Sequence, residues 1–257
     1  PLTNKRTDKY GQDRDLFAIN IIKAVKKKCG PDFPVIFRMC GDEAMGYKQL
    51  QGGITIEDAK KTAVRLQEAG ADAIDVPAAQ GDNAHLVTPC AYVAEDREGY
   101  FFHLAKEIKK VVSKPVISGG AVESPEVVEK AIEDGIVDMV YIGRQLIADP
   151  DWARKVEEGR LEDLRPCVAC CDCVDCIFRL SQIVCAVNTL NGLEYKYSTE
   201  EDIPYAKSSK KVAVIGGGPG GLEFARIAAL RGHKVTVIEK DETIGGSIKI
   251  AAAPSFK

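Results

Sequence analysis

Lys211-Val212-Ala213-Val214-Ile215-Gly216-Gly217-Gly218-Pro219-Gly220-Gly221 is an apolar run that breaks into a cluster of glycines. The run reads as a buried parallel strand. Gly216, Gly218 and Gly221 satisfy the G-x-G-x-x-G spacing, and a helix is expected from Leu222 to Arg231, closed by Gly232. A second strand, Lys234 to Ile238, ends at Glu239. Strand, glycine turn, helix, strand and acid in this order form a dinucleotide-binding start. Glycines let the backbone approach a pyrophosphate, and the helix N-terminus attracts its charge. Glu239 can accept hydrogen bonds from the adenosine ribose. A carboxylate there disfavours a 2′-phosphate, so FAD or NAD(H) is preferred over NADP(H) at this half-site.

Upstream, the pattern alternates between helical periodicity and short apolar strands. Helices are expected over 13–28, from 55 or 57 to 70, over 100–111, from 124 to about 135, and from a cap at 149–151 through 157. Strands are expected over 34–39, 73–76, 115–118 and 138–142, the first of them buried on both faces. Four strand-then-helix units imply a parallel α/β sheet with right-handed crossovers. They make the C-terminal half of a (β/α)8 TIM barrel or part of a doubly wound open sheet, and the pattern alone leaves both open. Gly119-Gly120 and Gly143-Arg144 end consecutive strands, where backbone N–H groups and an Arg can hold a phosphate. The plainer reading is turn glycines beside a surface Arg. Arg38 is a charge inside an apolar strand and needs a partner, either an acid such as Asp75 or a bound anion. The loop over 77–99 is long for a connector. It holds His85 and Tyr92 as candidate acid/base groups, although a loop His is more often simply exposed.

Six of the nine cysteines lie between residues 167 and 185. Cys167, Cys170 and Cys173 are each separated by two intervening residues, which lets a short chain place three thiolates around one corner of an iron–sulfur cube. Cys185 is the best fourth ligand, while Cys171 and Cys176 are additional thiols that could replace one. Zinc is the competing metal, but the single long step to Cys185 fits a zinc ribbon poorly. The expected organisation is a partial barrel over 1–158, a [4Fe–4S] segment and linker over 159–209, and a truncated Rossmann-like domain over 210–257. The chain reads as an internal fragment of a longer protein.

Composition sets outer bounds. The 257 residues carry a formal net charge of −3 and are 45% hydrophobic, values ordinary for a globular protein. Nothing argues for nucleic acid or an anionic membrane, and no apolar run is long enough for a membrane helix. The cysteine usage fits a reducing, cytoplasmic compartment. A homo-oligomer is left open.

These segments together resemble the flavin/iron–sulfur branch of the Old Yellow Enzyme superfamily. That branch holds 2,4-dienoyl-CoA reductase, enoate-type reductases and trimethylamine dehydrogenase. The resemblance rests on Asn4-Lys5-Arg6-Thr7-Asp8-Lys9-Tyr10-Gly11, Gly30-Pro31-Asp32-Phe33-Pro34-Val35, Gly143-Arg144 with Ala148-Asp149-Pro150, Arg165-Pro166-Cys167, and the glycine turn with Gly245-Gly246. It implies an FMN-binding barrel, a [4Fe–4S] cluster and a region binding FAD or ADP. Electrons from NAD(P)H would reduce an activated C=C bond of a small unsaturated substrate. By resemblance, Arg38 lies near the flavin ring. Gly119, Gly120, Gly143 and Arg144 hold the FMN phosphate, and Cys167, Cys170, Cys173 and Cys185 hold the cluster. The tight step from Cys170 to Cys173 is closer to trimethylamine dehydrogenase. Gly120 departs from dienoyl-CoA reductase, which has Arg there, and the family's catalytic Tyr would precede residue 1.

Overall fold

The computed structural model describes residues 4–43, 53–78 and 98–252, in two compact units, 1–170 and 171–257. The first unit contains β1 (Ile36–Arg38), β2 (Ala73–Asp75), β3 (Val116–Gly119) and β4 (Met139–Tyr141). They form one parallel sheet in the order β1-β2-β3-β4. The helices are α1 (Lys9–Gln12), α2 (Leu16–Cys29), α3 (Ile56–Ala69), α4 (Phe102–Lys109), α5 (Pro125–Glu133), α6 (Arg144–Ala148) and α7 (Trp152–Glu157).

Sequential strand order separates the two architectures. A doubly wound sheet reverses direction at a switch point. Strands that advance one place at a time, with right-handed crossovers, put every helix on the same face. The core has that asymmetry. Ile74, Val76 and Val116 pack with Ile22 of α2, Leu66 of α3 and Ile108 of α4, all buried. Each such aliphatic side chain contributes about 1.5–3 kcal/mol on burial. On the opposite face, among the described residues, Ile36 is 59% exposed and Met139 43%, while Ala73 between them is buried. The expectation that the first strand is buried on both faces is therefore corrected, because helices cover only its outer side. This is the singly wound pattern of a barrel segment.

Local chemistry sets the helix limits. Thr55 and Asp58 form a reciprocal capping box at the start of α3, and Gly70 closes it in the left-handed region at φ 109°. Helix α2 begins at Leu16, later than the pattern predicts, because Asp13 and Asp15 are held by Arg65 of α3 (2.6 and 2.7 Å). Asp149-Pro150-Asp151 does not cap α7 through a side chain. Asp149 is buried instead, against Lys155 and the backbone of Arg165. A repeated device ties the strand starts together. Asp72 accepts Val35 N–H and Lys26 Nζ, and Asp138 accepts Val116 N–H and Lys109 Nζ.

The second unit holds α8 (Asp172–Phe178), β5 (Lys211–Ile215), α9 (Pro219–Leu230), β6 (Lys234–Ile238) and α10 (Ile248–Ala251). β5 and β6 pair in parallel along five residues. Of β5 only Val214 is buried. The expectation of a buried strand is corrected there too, since α9 covers one face only. Residues 194–210, which read as a linker, are bonded to this unit. Glu200 pairs with Arg226, and Ala206 N–H donates to Arg231 C=O.

Candidate functional site

The carboxyl ends of parallel strands are where an α/β sheet places its chemistry. Paired positions share a face, so Arg38, Asp75, Ile117 and Met139 form one row across the inner side. Arg38 Nη1 lies 3.2 Å from Asp75 Oδ2, and the Arg38 guanidinium stacks 4.9 Å from the centre of the Tyr141 ring. Of the two partners the sequence allowed for Arg38, an acid or an anion, the structure supplies the acid. Asp75 is the more confined member. Among the described residues, its Oδ1 is buried without a hydrogen-bond partner. Burial pushes its carboxyl above the ordinary range, and Arg38 pulls it back only in part.

One step further along, Gly119 pairs with Tyr141. A Cβ on Gly119 would sit 2.5 Å from the Tyr141 carbonyl, so only glycine lets the two strand ends lie this close. Gly120 follows with φ 108°, and its carbonyl accepts Gly99 N–H (2.8 Å) and Tyr100 N–H (3.2 Å). On the neighbouring strand end, Gly143 precedes α6, and a Cβ there would meet nothing within 4 Å. The structure thus brings Gly119, Gly120, Gly143 and Arg144 to two adjacent strand ends. Open space beside Gly143 and a cation next to it fit a phosphate.

From α6, the Gln145 side chain reaches Cys167, the first of the clustered cysteines. Gln145 Nε2 donates to Arg165 C=O (2.9 Å), and Gln145 Oε1 accepts Cys167 N–H (2.9 Å). Asp149 Oδ2 accepts Arg165 N–H (2.9 Å). The Cys167 thiol is pushed up by burial, and pulled down by the Ala169 N–H and the charge of Arg144. Ala169 and Cys171 both have positive φ, 50° and 64°. Such strain in non-glycine residues gathers at functional sites. The backbone turns sharply on either side of Cys170, and thiols are the donors that an iron–sulfur cluster takes. Cys173 is buried on α8 with Cys176 one turn later, and Cys185 is half-buried. No three His, Cys, Asp or Glu side chains among the described residues converge as a metal-holding group.

In the second unit the glycine turn has the expected construction. A Cβ on Gly221 would lie 2.1 Å from the Gly216 carbonyl. This glycine therefore permits close contact between α9 and β5. A Cβ on Gly216, Gly218 or Gly220 would meet nothing within 4 Å, which leaves the space a pyrophosphate needs. Glu239 Oε2 accepts Gly217 N–H (2.6 Å). Backbone donors from Asp241, Gly217 and Lys240 hold its carboxyl below the usual range. Glu239 thus stays ionised and closes the turn, keeping lone pairs for a further donor.

His85 and Tyr92 lie outside the described residues. Gln145 was missed in the sequence, and Asp149 was read as a helix cap, because their partners Arg165 and Cys167 lie 16 to 22 residues away, on either side of Pro166.

The sequence profile of the NADH:flavin oxidoreductase / NADH oxidase family matches residues 1–163. The chain belongs to this family. The profile of an NAD(P)-binding Rossmann-like domain matches residues 214–257. An NADH oxidase from Thermoanaerobacter brockii is 40% identical over all of this chain and 39% of its own length. A solved 2-naphthoyl-CoA reductase is 34% identical with a TM-score of 0.85, over 97% of this chain and 37% of its own. A histamine dehydrogenase from Rhizobium sp. 4-9 is 31% identical with a TM-score of 0.83, over 96% and 35%. The chain spans well under half the length of these family members. The family resemblance and the barrel-type fold are borne out. Among the described residues, no helix is long and apolar enough to cross a membrane.

Proposed function

We propose that this chain serves in an NAD(P)H-dependent, flavin- and iron–sulfur-containing oxidoreductase that reduces an activated C=C bond of 2-enoate or enoyl-CoA type. The reading is carried by the pair of glycine turns on adjacent strand ends, with Arg38 on the inner face below them. Similarity to a 2-naphthoyl-CoA reductase over 97% of the chain supports it. Gly119, Gly120, Gly143 and Arg144 would hold the FMN phosphate. Gly216, Gly218, Gly221 and Glu239 would hold the adenosine diphosphate half of FAD, and Cys167, Cys170, Cys173 and Cys185 the cluster. When bound, the flavins would supply two-electron (hydride) chemistry and the cluster one-electron transfer between them, with the second hydrogen of the C=C reduction coming from a proton donor. Arg38 supplies a fixed positive charge on the inner face. Asp75 restrains that side chain through Oδ2, 3.2 Å from Arg38 Nη1. Arg144 contributes charge at the phosphate turn.

A second reading has its own support. The histamine dehydrogenase is nearly as similar, and the short step from Cys170 to Cys173 resembles the amine-oxidising branch. In that case electrons run outward to a partner flavoprotein. Two assays on the intact protein carrying this chain separate the readings. NADH-dependent reduction of cinnamate or an enoyl-CoA is expected, without oxidation of small amines. Amine oxidation with no C=C reduction would reverse the assignment. One zinc per chain in place of iron and sulfide would leave a non-catalytic scaffold and remove both.

A further inference from the structure

Pro166 has no N–H, so Arg165-Pro166-Cys167 cannot join a regular hydrogen-bond ladder. Gln145 on the five-residue helix α6 and Asp149, the residue that caps its C-terminus, take over that role. They lie four residues apart in the chain, and each is only 2% exposed. The Gln145 amide spans the proline, donating to Arg165 C=O and accepting from Cys167 N–H. Asp149 accepts Arg165 N–H and is itself fixed by Lys155 Nζ at 2.8 Å. The same helix begins at Gly143-Arg144. Its rise of about 1.5 Å per residue makes it a short rigid strut from the phosphate turn to the first cysteine.

We propose that Gln145 is a positioning residue that aims Cys167 as a cluster ligand and fixes it relative to the phosphate turn. This rests on the reading of Cys167 as a cluster ligand. A side chain that only filled space would not need both amide atoms bonded on either side of a proline. Partners that orient a metal ligand typically alter metal affinity about 10–100-fold when removed.

The test uses the intact protein, purified anaerobically. Gln145→Met keeps the volume and removes both bonds. Gln145→Glu keeps an acceptor for Cys167 N–H and loses the donor to Arg165. Asp138→Asn, which loosens the far ends of β3 and β4, controls for general destabilisation. In Gln145→Met we expect unchanged flavin content, loss of the cluster to a chelator about 10–100-fold faster than wild type, and an altered electron paramagnetic resonance signal of the reduced cluster. Gln145→Glu should recover most of the wild-type lifetime, and Asp138→Asn should lower Tm with the signal unchanged. A Gln145→Met cluster with wild-type lifetime and signal would overturn the assignment. So would a Gln145→Glu cluster as labile as that of Gln145→Met. Wild-type protein lacking iron and sulfide would instead refute the ligand reading itself and this inference with it.

Discussion

Asp75 concentrates the conflict of the inner face in one side chain. Its Oδ1 is buried and unpartnered among the described residues, while Oδ2 faces Arg38. A carboxyl whose folded pKa is raised favours the neutral form in the fold. The cost of ionising it is absent below the unfolded pKa of about 3.9 and grows as pH rises through the folded value. Asp75→Asn removes that cost. The account predicts a higher Tm for Asp75→Asn than for wild type at pH 7, with the gap closing as the buffer is acidified below about pH 4. An unchanged or lower Tm at pH 7 would mean that Arg38 compensates the burial fully. The sequence made Arg38 conspicuous, as a charge in an apolar strand, and named Asp75 as a candidate partner. It gave no sign that one Asp75 oxygen is orphaned, because that depends on which atoms surround the strand.

At the scale of elements, the glycine turn and helix α9 make opposite demands on neighbouring glycines. Gly221 lies against the Gly216 carbonyl, so Gly221→Ala must push α9 away from β5. Overpacking of this kind costs about 1–3 kcal/mol, and adenine-nucleotide binding should fall with stability. Gly220 is a helical position with open space around it. Gly220→Ala should stabilise the free protein by about 0.5–1 kcal/mol, while its methyl group intrudes on the pyrophosphate path. Thermal unfolding with and without FAD checks both, and parallel behaviour of the two variants would contradict the division of roles. The bounds of β5 and β6 were legible residue by residue, because β-branched runs there are bounded by glycine and an acid. The strands β1, β2 and β4 were legible in place but overlong, since only three residues of each pair, and β3 kept its length but starts one residue later. Helix α6 was not anticipated. It is one turn of chain whose role depends on bonds to a segment beyond Pro166, and no periodicity announces it.

For the whole molecule, two profiles bracket the six clustered cysteines without covering them: one ends at 163 and the other begins at 214. The strand order settles what the pattern left open, a singly wound barrel segment in preference to a doubly wound sheet. Their position on the inner face explains why Ile36 and Met139 are exposed although both are apolar. The cluster itself was read from spacing and donor chemistry. The structure adds the strained curl at Ala169 and Cys171 and the Gln145 clamp on Cys167. The most direct test of the account is to quantify iron, acid-labile sulfide and FMN on the intact protein carrying this chain, purified without oxygen. The account predicts an equivalent of FMN with about four irons and about four sulfides per chain. Protein that binds FMN but carries zinc, or no metal and no sulfide, would contradict it.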